Sequence, residues 1–346
     1  VKILVLVGIT LPVFLSGQES GDRLRFAFYN VENLFDPFDD SLTADEEFLP
    51  GGIRGWTWQR LDEKLDRIYK VLTALGGWDP PAMIGLCEVE NNFVLQRLVA
   101  ETPLRKHQYR ILHDDSPDPR GIDVALLYRP GIFREVVYRY HRVTGHGSSR
   151  APTRDILYVK GSLKGGRDLH VFVNHWPSRW EGTLETRPER LAAAAVLRRL
   201  VDSLFLENKQ ASILVMGDFN DEITDISLRD SLQVRLNEGL PSGGGLFLPF
   251  ADLGSGTHGS LKYRGRWYGF DLILVSRALL RDPECCVSSD GFRIYSPTFL
   301  LEEDPVWLGT RPFRTYLGYR YHGGFSDHLP VYIDLVLQGA CWSGIR

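Results

Sequence analysis

Five short clusters carry residue types suited to chemistry on a phosphate ester: YNVEN from Tyr29, CEVEN from Cys87, NHWPSR from Asn174, GDFND from Gly217 and SDHLP from Ser326. Each follows or adjoins an apolar run, and loops at strand ends are where a rigid scaffold usually presents its reactive groups. Asn30, Glu88 and Asp327 offer the oxygen donors that a hard divalent cation such as Mg²⁺ takes, leaving positions for water and phosphate oxygens. Ester hydrolysis also needs a positioned water, a base for its proton, and donors facing the charge that develops on the phosphoryl oxygens. His175, Asp218, Asn220 and His328 are of those types. Singly, each cluster could be no more than a turn or a residue favoured near a helix start. Five together are harder to read that way.

The elements that must position these clusters show in the hydrophobic pattern. Leu24, Phe26 and Phe28 alternate with polar or small residues, the period of a half-buried strand that ends near Asn30. From Thr57 to Leu75 the apolar set Leu61, Leu65, Ile68, Leu72 and Leu75 recurs at three and four, which predicts an amphipathic helix stopped by Gly76 and Gly77. AMIGLC predicts a strand that delivers Glu88, followed by a helical pattern through Phe93, Leu95, Leu98 and Val99. VALLY near 124, DILYVKGSL near 155, LHVFVNH near 169, SILVMGD near 212, FDLILVS near 270 and VYIDLV near 331 predict further strands. ERLAAAAVLRRLVDSLF from Glu189 predicts a second long helix. No repeat or low-complexity tract interrupts the chain, so an α+β or α/β sandwich in one continuous domain is expected.

Composition narrows the class. Of 346 residues 43% are hydrophobic and 24% charged, which excludes disorder, collagen and coiled coil. A formal net charge of -4 gives no global attraction to phosphate polymers, so a nucleic-acid substrate would need a local basic groove. KILVLVGITLPVFLSG carries one cation, Lys2, then an apolar run and the small residues Ser16 and Gly17, the outline of a secretory signal over 1–17. A buried first strand is the alternative. Cys87 reads as a core thiol, whereas Cys285, Cys286 and Cys341 could supply one bridge in an oxidising compartment. GSGTHG from Gly254 lacks the following helix that a dinucleotide site requires, and no GxxxxGK[ST], HExxH or GxSxG string occurs.

The motifs NVENLFD from Asn30, GLCEVEN from Gly85, GIDVALLYRP from Gly121, FVNHWPSR from Phe172, GDFND from Gly217, GFDLILVS from Gly269 and FSDHLP from Phe325 resemble, in this order, the endonuclease/exonuclease/phosphatase superfamily. The resemblance spans about Arg23 to Leu337. It implies an α/β fold, a four-layer α-β-β-α sandwich of two mixed β-sheets flanked by helices, with the active site at one rim. Domain bounds of 22–337 and a short tail at 338–346 are expected from it.

Carried over residue by residue, the resemblance makes Asn30, Glu88 and Asp327 the Mg²⁺ or Mn²⁺ site. Asp218 becomes the carboxylate that positions or deprotonates water, and Asn220 a donor to the scissile phosphate. His328 becomes base or transition-state donor with Asp271 orienting its ring, and His175 the second histidine of the deoxyribonuclease and sphingomyelinase branches. A carboxylate on one ring nitrogen fixes the tautomer and raises the basicity of the other. Asp123 could serve His175 in the same way, or instead pair with Arg120 or Arg154. Arg154 and Arg179 could bind phosphate oxygens, or form ion pairs. The implied activity is an exported metal-dependent endonuclease acting on nucleic acid or another phosphate ester, as a monomer without a stable membrane anchor. A phospholipid or inositol-phosphate hydrolase is the runner-up, and a binding module without catalysis a third reading. The stretches near 46 and before FSDHLP are expected to be long rim loops.

Overall fold

A computed structural model describes residues 22–77, 79–144, 152–236, 245–249 and 258–337. The signal-like segment at 1–17, Cys341 with the tail, and most of GSGTHG lie outside these residues. In chain order the strands are β1 (Asp22–Leu34), β2 (Met83–Val89), β3 (Arg110–His113), β4 (Asp123–Tyr128), β5 (Phe133–His141), β6 (Ile156–Leu163), β7 (Asp168–His175), β8 (Ile213–Asp218), β9 (Arg235–Leu236), β10 (Leu246–Leu248), β11 (Leu261–Tyr263), β12 (Arg266–Tyr268), β13 (Asp271–Ser276), β14 (Cys285–Val287), β15 (Arg293–Ile294), β16 (Leu301–Glu303), β17 (Thr310–Pro312), β18 (Tyr316–Leu317), β19 (Arg320–Tyr321) and β20 (Val331–Leu337). The α-helices are α1 (Trp58–Gly76), α2 (Asn92–Glu101), α3 (Arg187–Glu207) and the single turn α4 (Ala278–Arg281).

Two mixed sheets form the centre. One runs β14-β20-β1-β2-β4-β3 with β15 on β20, the other β5-β6-β7-β8-β13-β10-β9. Strand alternation decides which layer each side chain enters. In β2, Met83 and Cys87 join the core between the sheets, where Phe28, Val171, Val173, Met216 and Ile273 lie, while Ile84 and Leu86 join Leu61, Leu65 and Ile68 of α1 on the outer face. Ala193, Ala194, Leu197 and Val201 of α3 cover the second sheet from outside. The result is the expected α-β-β-α sandwich. Gly85 leaves room for the facing sheet, since a Cβ there would lie 2.4 Å from Met216 Sδ.

The helix boundaries follow local chemistry. Thr57 accepts the Arg60 N–H as N-cap of α1, and Gly77 ends that helix at φ 66°. Asn91 caps α2 through the Val94 N–H. β5 was not evident in the sequence, because FREVVYRYH at a sheet edge buries little on either face. The stretch before FSDHLP is more ordered than a long loop, forming the hairpins β16–β17 and β18–β19. Near 46, Trp56 is fully buried and its Nε1 donates to Phe35 O at 2.8 Å. Cys87 and Cys285 are buried free thiols and Cys286 is disulfide-bonded.

Candidate active site

Strand register brings the five clusters to one rim. His175, Asp218 and Asp271 are direct neighbours across β7, β8 and β13. In the other sheet Asn30 pairs with Cys87, Asp123 with Val89, and His328 lies three residues before the start of β20. Glu88 reaches the rim through a break in register between Cys87 and Val89, where its own φ is 60°. Glu32, Asn33 and Asn220 are also left-handed, at φ 52°, 57° and 50°. Non-glycine residues adopt that region rarely, and such outliers cluster where the surrounding structure holds a functional geometry. Bulges re-aim side chains at strand ends, which is what this one does for Glu88.

Asn30 joins the two sheets. Its Nδ2 donates to Glu88 Oε1 at 3.2 Å and to Asp218 Oδ2 at 3.1 Å, while its Oδ1 accepts the Glu32 N–H at 2.9 Å. Glu88 Oε2 accepts the Asn33 N–H at 3.0 Å, so the carboxylate is fixed from two directions. Asp218 Oδ1 accepts the Asn220 N–H at 2.9 Å, and Asn220 Nδ2 is committed to Trp176 O at 3.0 Å. That bond uses one of the two amide hydrogens of Asn220.

The two histidines converge on one oxygen. His328 Nε2 lies 3.8 Å and His175 Nε2 3.9 Å from Asp218 Oδ2, and His175 Nε2 is also 4.0 Å from Glu88 Oε1. His328 Nδ1 donates to Asp271 Oδ2 at 2.6 Å. Burial alone would lower the His328 pKa, but the Asp271 and Asp218 carboxylates outweigh it and hold the ring protonated, well above the ordinary value. Among the described residues His175 has no such partner, and its Nδ1 is buried and unbonded. Burial, then the nearby Arg154 and Arg120 charges, push its pKa well down, so it stays neutral. Asp218 is pushed up to about 7 by burial and by Asp271, against the pull of His328 and its hydrogen bonds to Asn220 and Asn30.

Three expectations change. Asp123 does not reach His175; it accepts the Ser116 N–H at 2.9 Å and faces His113 at 3.6 Å. Arg154 is buried, with Nη1 on Asp118 at 2.8 Å and Nη2 on Trp176 O at 2.8 Å, so its fork is spent on holding the chain beside His175. Arg179 turns to Asp221 and Asp225, both at 2.5 Å, and to Asn220 O. Arg154 satisfies Asp118, which would otherwise be buried unpaired, whereas Arg179 shares Asp221 with Arg190 and reaches the half-buried Asp225.

Several supporting residues lie outside the sequence motifs. Arg190, fully buried in α3, donates to Asp221 Oδ1, Thr186 Oγ1 and Thr183 O, tying the segment after His175 to the segment after Asp218. Lys64 of α1 donates to Thr315 Oγ1 and Phe325 O. Its pKa is lowered to about 8 by burial, opposed by Glu32, Asp327 and Glu88. Arg314 bonds Asp327 at 2.7 Å and lies 3.6 Å from Glu32. A lysine at a core position of an amphipathic helix was the available signal, because Lys is almost never fully buried without partners.

Glu88 offers a fixed carboxylate beside Asn30, whose Nδ2 bonds Glu88 and Asp218; with that carboxamide turned over, its Oδ1 would join Glu88 in an all-oxygen donor set. That chemistry fits a hard divalent cation. Asp327, the third residue expected there, is already engaged by Arg314. Cys87 lies beside His175 and Asp218, and burial raises its thiol pKa well above the ordinary value.

Two sheets with helices outside, carrying a carboxylate and histidine cluster at one rim, define a hydrolase-like α/β sandwich. The sequence matches the profile of the endonuclease/exonuclease/phosphatase family over residues 25–337. The chain belongs to that family, whose members are hydrolases acting on phosphate esters. Among solved structures it is similar to the human Nocturnin catalytic domain with bound sulfate, at 16% identity and TM-score 0.53, covering 92% of this chain and 96% of that one. It is also similar to D. rerio TDP2 complexed with single-strand DNA product (15%, TM-score 0.54, 90% and 98%). A third is the Bacteroides thetaiotaomicron mannosyl-6-phosphatase (16%, TM-score 0.53, 91% and 100%). These likenesses establish the fold. By sequence, no curated protein matches.

Proposed function

We propose that the protein is a metal-dependent phosphodiesterase, an endonuclease that hydrolyses phosphodiester bonds by in-line attack of water. The observation that carries this reading is the convergence of His175 and His328 on Asp218 Oδ2 beside Glu88. Asp218, with a pKa near neutrality, takes the proton of the attacking water. His328, locked by Asp271 with its Nε2 edge free, donates to a phosphoryl oxygen as charge develops. His175, neutral, offers a second polar edge on the opposite side of the carboxylate. Glu88 and Asn30, with Asp327 alongside, would hold Mg²⁺ or Mn²⁺, which supplies charge stabilisation to the phosphoryl and leaving oxygens.

A neighbour of the same fold carries a single-strand DNA product, which favours nucleic acid; another is a sugar phosphatase. One observation favours a lipid-borne phosphate instead: Trp180 and Leu184, on the segment that follows His175, are 91 and 63% exposed. Among the described residues no helix is long and apolar enough to cross a membrane. Export is also part of the proposal, supported by the signal-like segment and by the disulfide at Cys286. Finding the mature N-terminus near Gln18 in the exported fraction would test it.

The functional test is the initial rate on plasmid DNA, a simple phosphodiester, a phosphomonoester and a phospholipid in parallel, with Mg²⁺, Mn²⁺ or EDTA. DNA and diester cleavage that EDTA and Glu88→Ala abolish is the expected result. Hydrolysis of the monoester or lipid alone would overturn the nuclease assignment while keeping the chemistry.

A further inference from the structure

Outside the catalytic cluster, the end of β3 and the start of β4 hold buried polar groups that nothing around them satisfies. His113 and Asp123 have side chains only 2 and 3% exposed. His113 Nε2 stands 3.6 Å from Asp123 Oδ2 and its Nδ1 3.9 Å from Asp115 Oδ1, both beyond hydrogen-bond length. Among the described residues His113 Nε2 has no hydrogen-bond partner, nor does the buried Oγ of Ser116, whose own N–H bonds Asp123. Among the described residues neither Asp115 nor Asp123 pairs with a lysine or arginine, while Asp114 lies close enough to add to the repulsion. Asp123 thus faces Nε2 and Asp115 faces Nδ1, and a buried ring nitrogen left unbonded beside a carboxylate costs free energy that a cation would recover.

We propose that His113, Asp115 and Asp123 form a second divalent-cation site, separate from the Glu88 cluster, that takes Zn²⁺ or a similar first-row cation of mixed nitrogen and oxygen preference. One ring nitrogen and one oxygen from each carboxylate lie within 4.8 Å of one another. Tetrahedral zinc with bonds of about 2.1 Å sets its ligand atoms about 3.4 Å apart, close to the His113–Asp123 spacing. An imidazole in the set favours zinc over magnesium or calcium. Two ligands come from buried positions on adjacent strands and the third, Asp115, from an exposed loop, which leaves a position for water. Bound there, the ion clamps the 114–122 loop to the sheet. That loop carries Arg120, bonded to Asn33, and Asp118, the partner of Arg154, so the clamp steadies the wall next to Glu88 and His175.

The test is calorimetric titration of the EDTA-stripped protein with Zn²⁺ alone, on wild type, Glu88→Gln, His113→Gln and Asp115→Asn, with thermal unfolding followed in parallel. The expected result is one zinc equivalent that Glu88→Gln retains, that His113→Gln loses, and that Asp115→Asn binds at least tenfold more weakly. Zn²⁺ should raise the Tm of Glu88→Gln and leave that of His113→Gln unchanged. The Asp115 side chain is 83% exposed, so its variant folds whatever becomes of His113→Gln. If Glu88→Gln binds no zinc, or if the Asp115→Asn isotherm coincides with wild type, the trio is an ordinary histidine–carboxylate contact and the proposal falls. Neither result bears on the phosphodiesterase reading, which depends on Glu88 and not on these residues.

Discussion

His328 and His175 approach the same carboxylate oxygen at nearly equal distance, yet their surroundings drive them to opposite states. On the His328 side a second carboxylate, Asp271, bonds Nδ1 at 2.6 Å and keeps the ring charged. On the His175 side Nδ1 is buried without a partner among the described residues, and burial together with the charges of Arg154 and Arg120 keeps the ring neutral. Identical side chains thus gain different chemistry from their neighbours, which is how one site can hold both a proton donor and a neutral polar edge. The sheet supplies this asymmetry, because β8 and β13 place Asp271 directly opposite Asp218 while β7 offers no matching acid.

Perturbing the two sides should give graded effects. Removing divalent metal with EDTA disables both at once, and activity should fall below detection and return with Mg²⁺ or Mn²⁺; full activity in EDTA would contradict the metal reading. His328→Ala should lower kcat by about a thousandfold, within the range for a general acid or base. Asp271→Asn should follow it to within about tenfold, because the clamp on the ring is lost; a near wild-type rate would show that Asp271 only packs. His175→Ala should cost about a hundredfold, less than its charged counterpart. A loss equal to that of His328→Ala would remove the distinction between the two sides. Arg179→Ala should change KM by less than about fivefold, since the guanidinium faces Asp221 and Asp225; a large rise in KM would return Arg179 to the substrate.

Buried ties outside the reacting atoms should show in stability instead. Arg190→Ala removes one partner of the buried Asp221, which Arg179 and Ser227 still hold, so the cost should be about 1–3 kcal/mol, less than for a stripped buried charge. A denaturant midpoint unchanged from wild type would mean that the two segments hold together by other means.

The layered architecture was legible because alternating strands and three-four helical spacing record burial directly, as in Phe26 and Phe28 or Leu61, Leu65 and Ile68. The clusters at Asn30, Glu88, His175, Asp218 and His328 were legible because polar residues end apolar runs abruptly. What could not be read was direction. Nothing in GLCEVEN announces that Glu88 turns left-handed at a bulge, or that Glu90 is not the residue facing the rim. Arg154 and Arg179 have the right type for phosphate, but their partners Asp118, Asp221 and Asp225 come from distant or neighbouring loops that only the fold brings near. Asp123 failed as a partner for His175 for the same reason, since His113 on the adjoining strand lies closer. Arg190 and Lys64 were hidden because a long cationic side chain on a helix normally reaches solvent.

The most direct measurement is nitrogen NMR of the two imidazoles at pH 7 in uniformly labelled protein, with His328→Ala and His175→Ala for assignment. The expected spectrum shows both nitrogens of His328 protonated and a single proton on the His175 ring. A neutral His328, or a charged His175, would contradict the division of roles around Asp218.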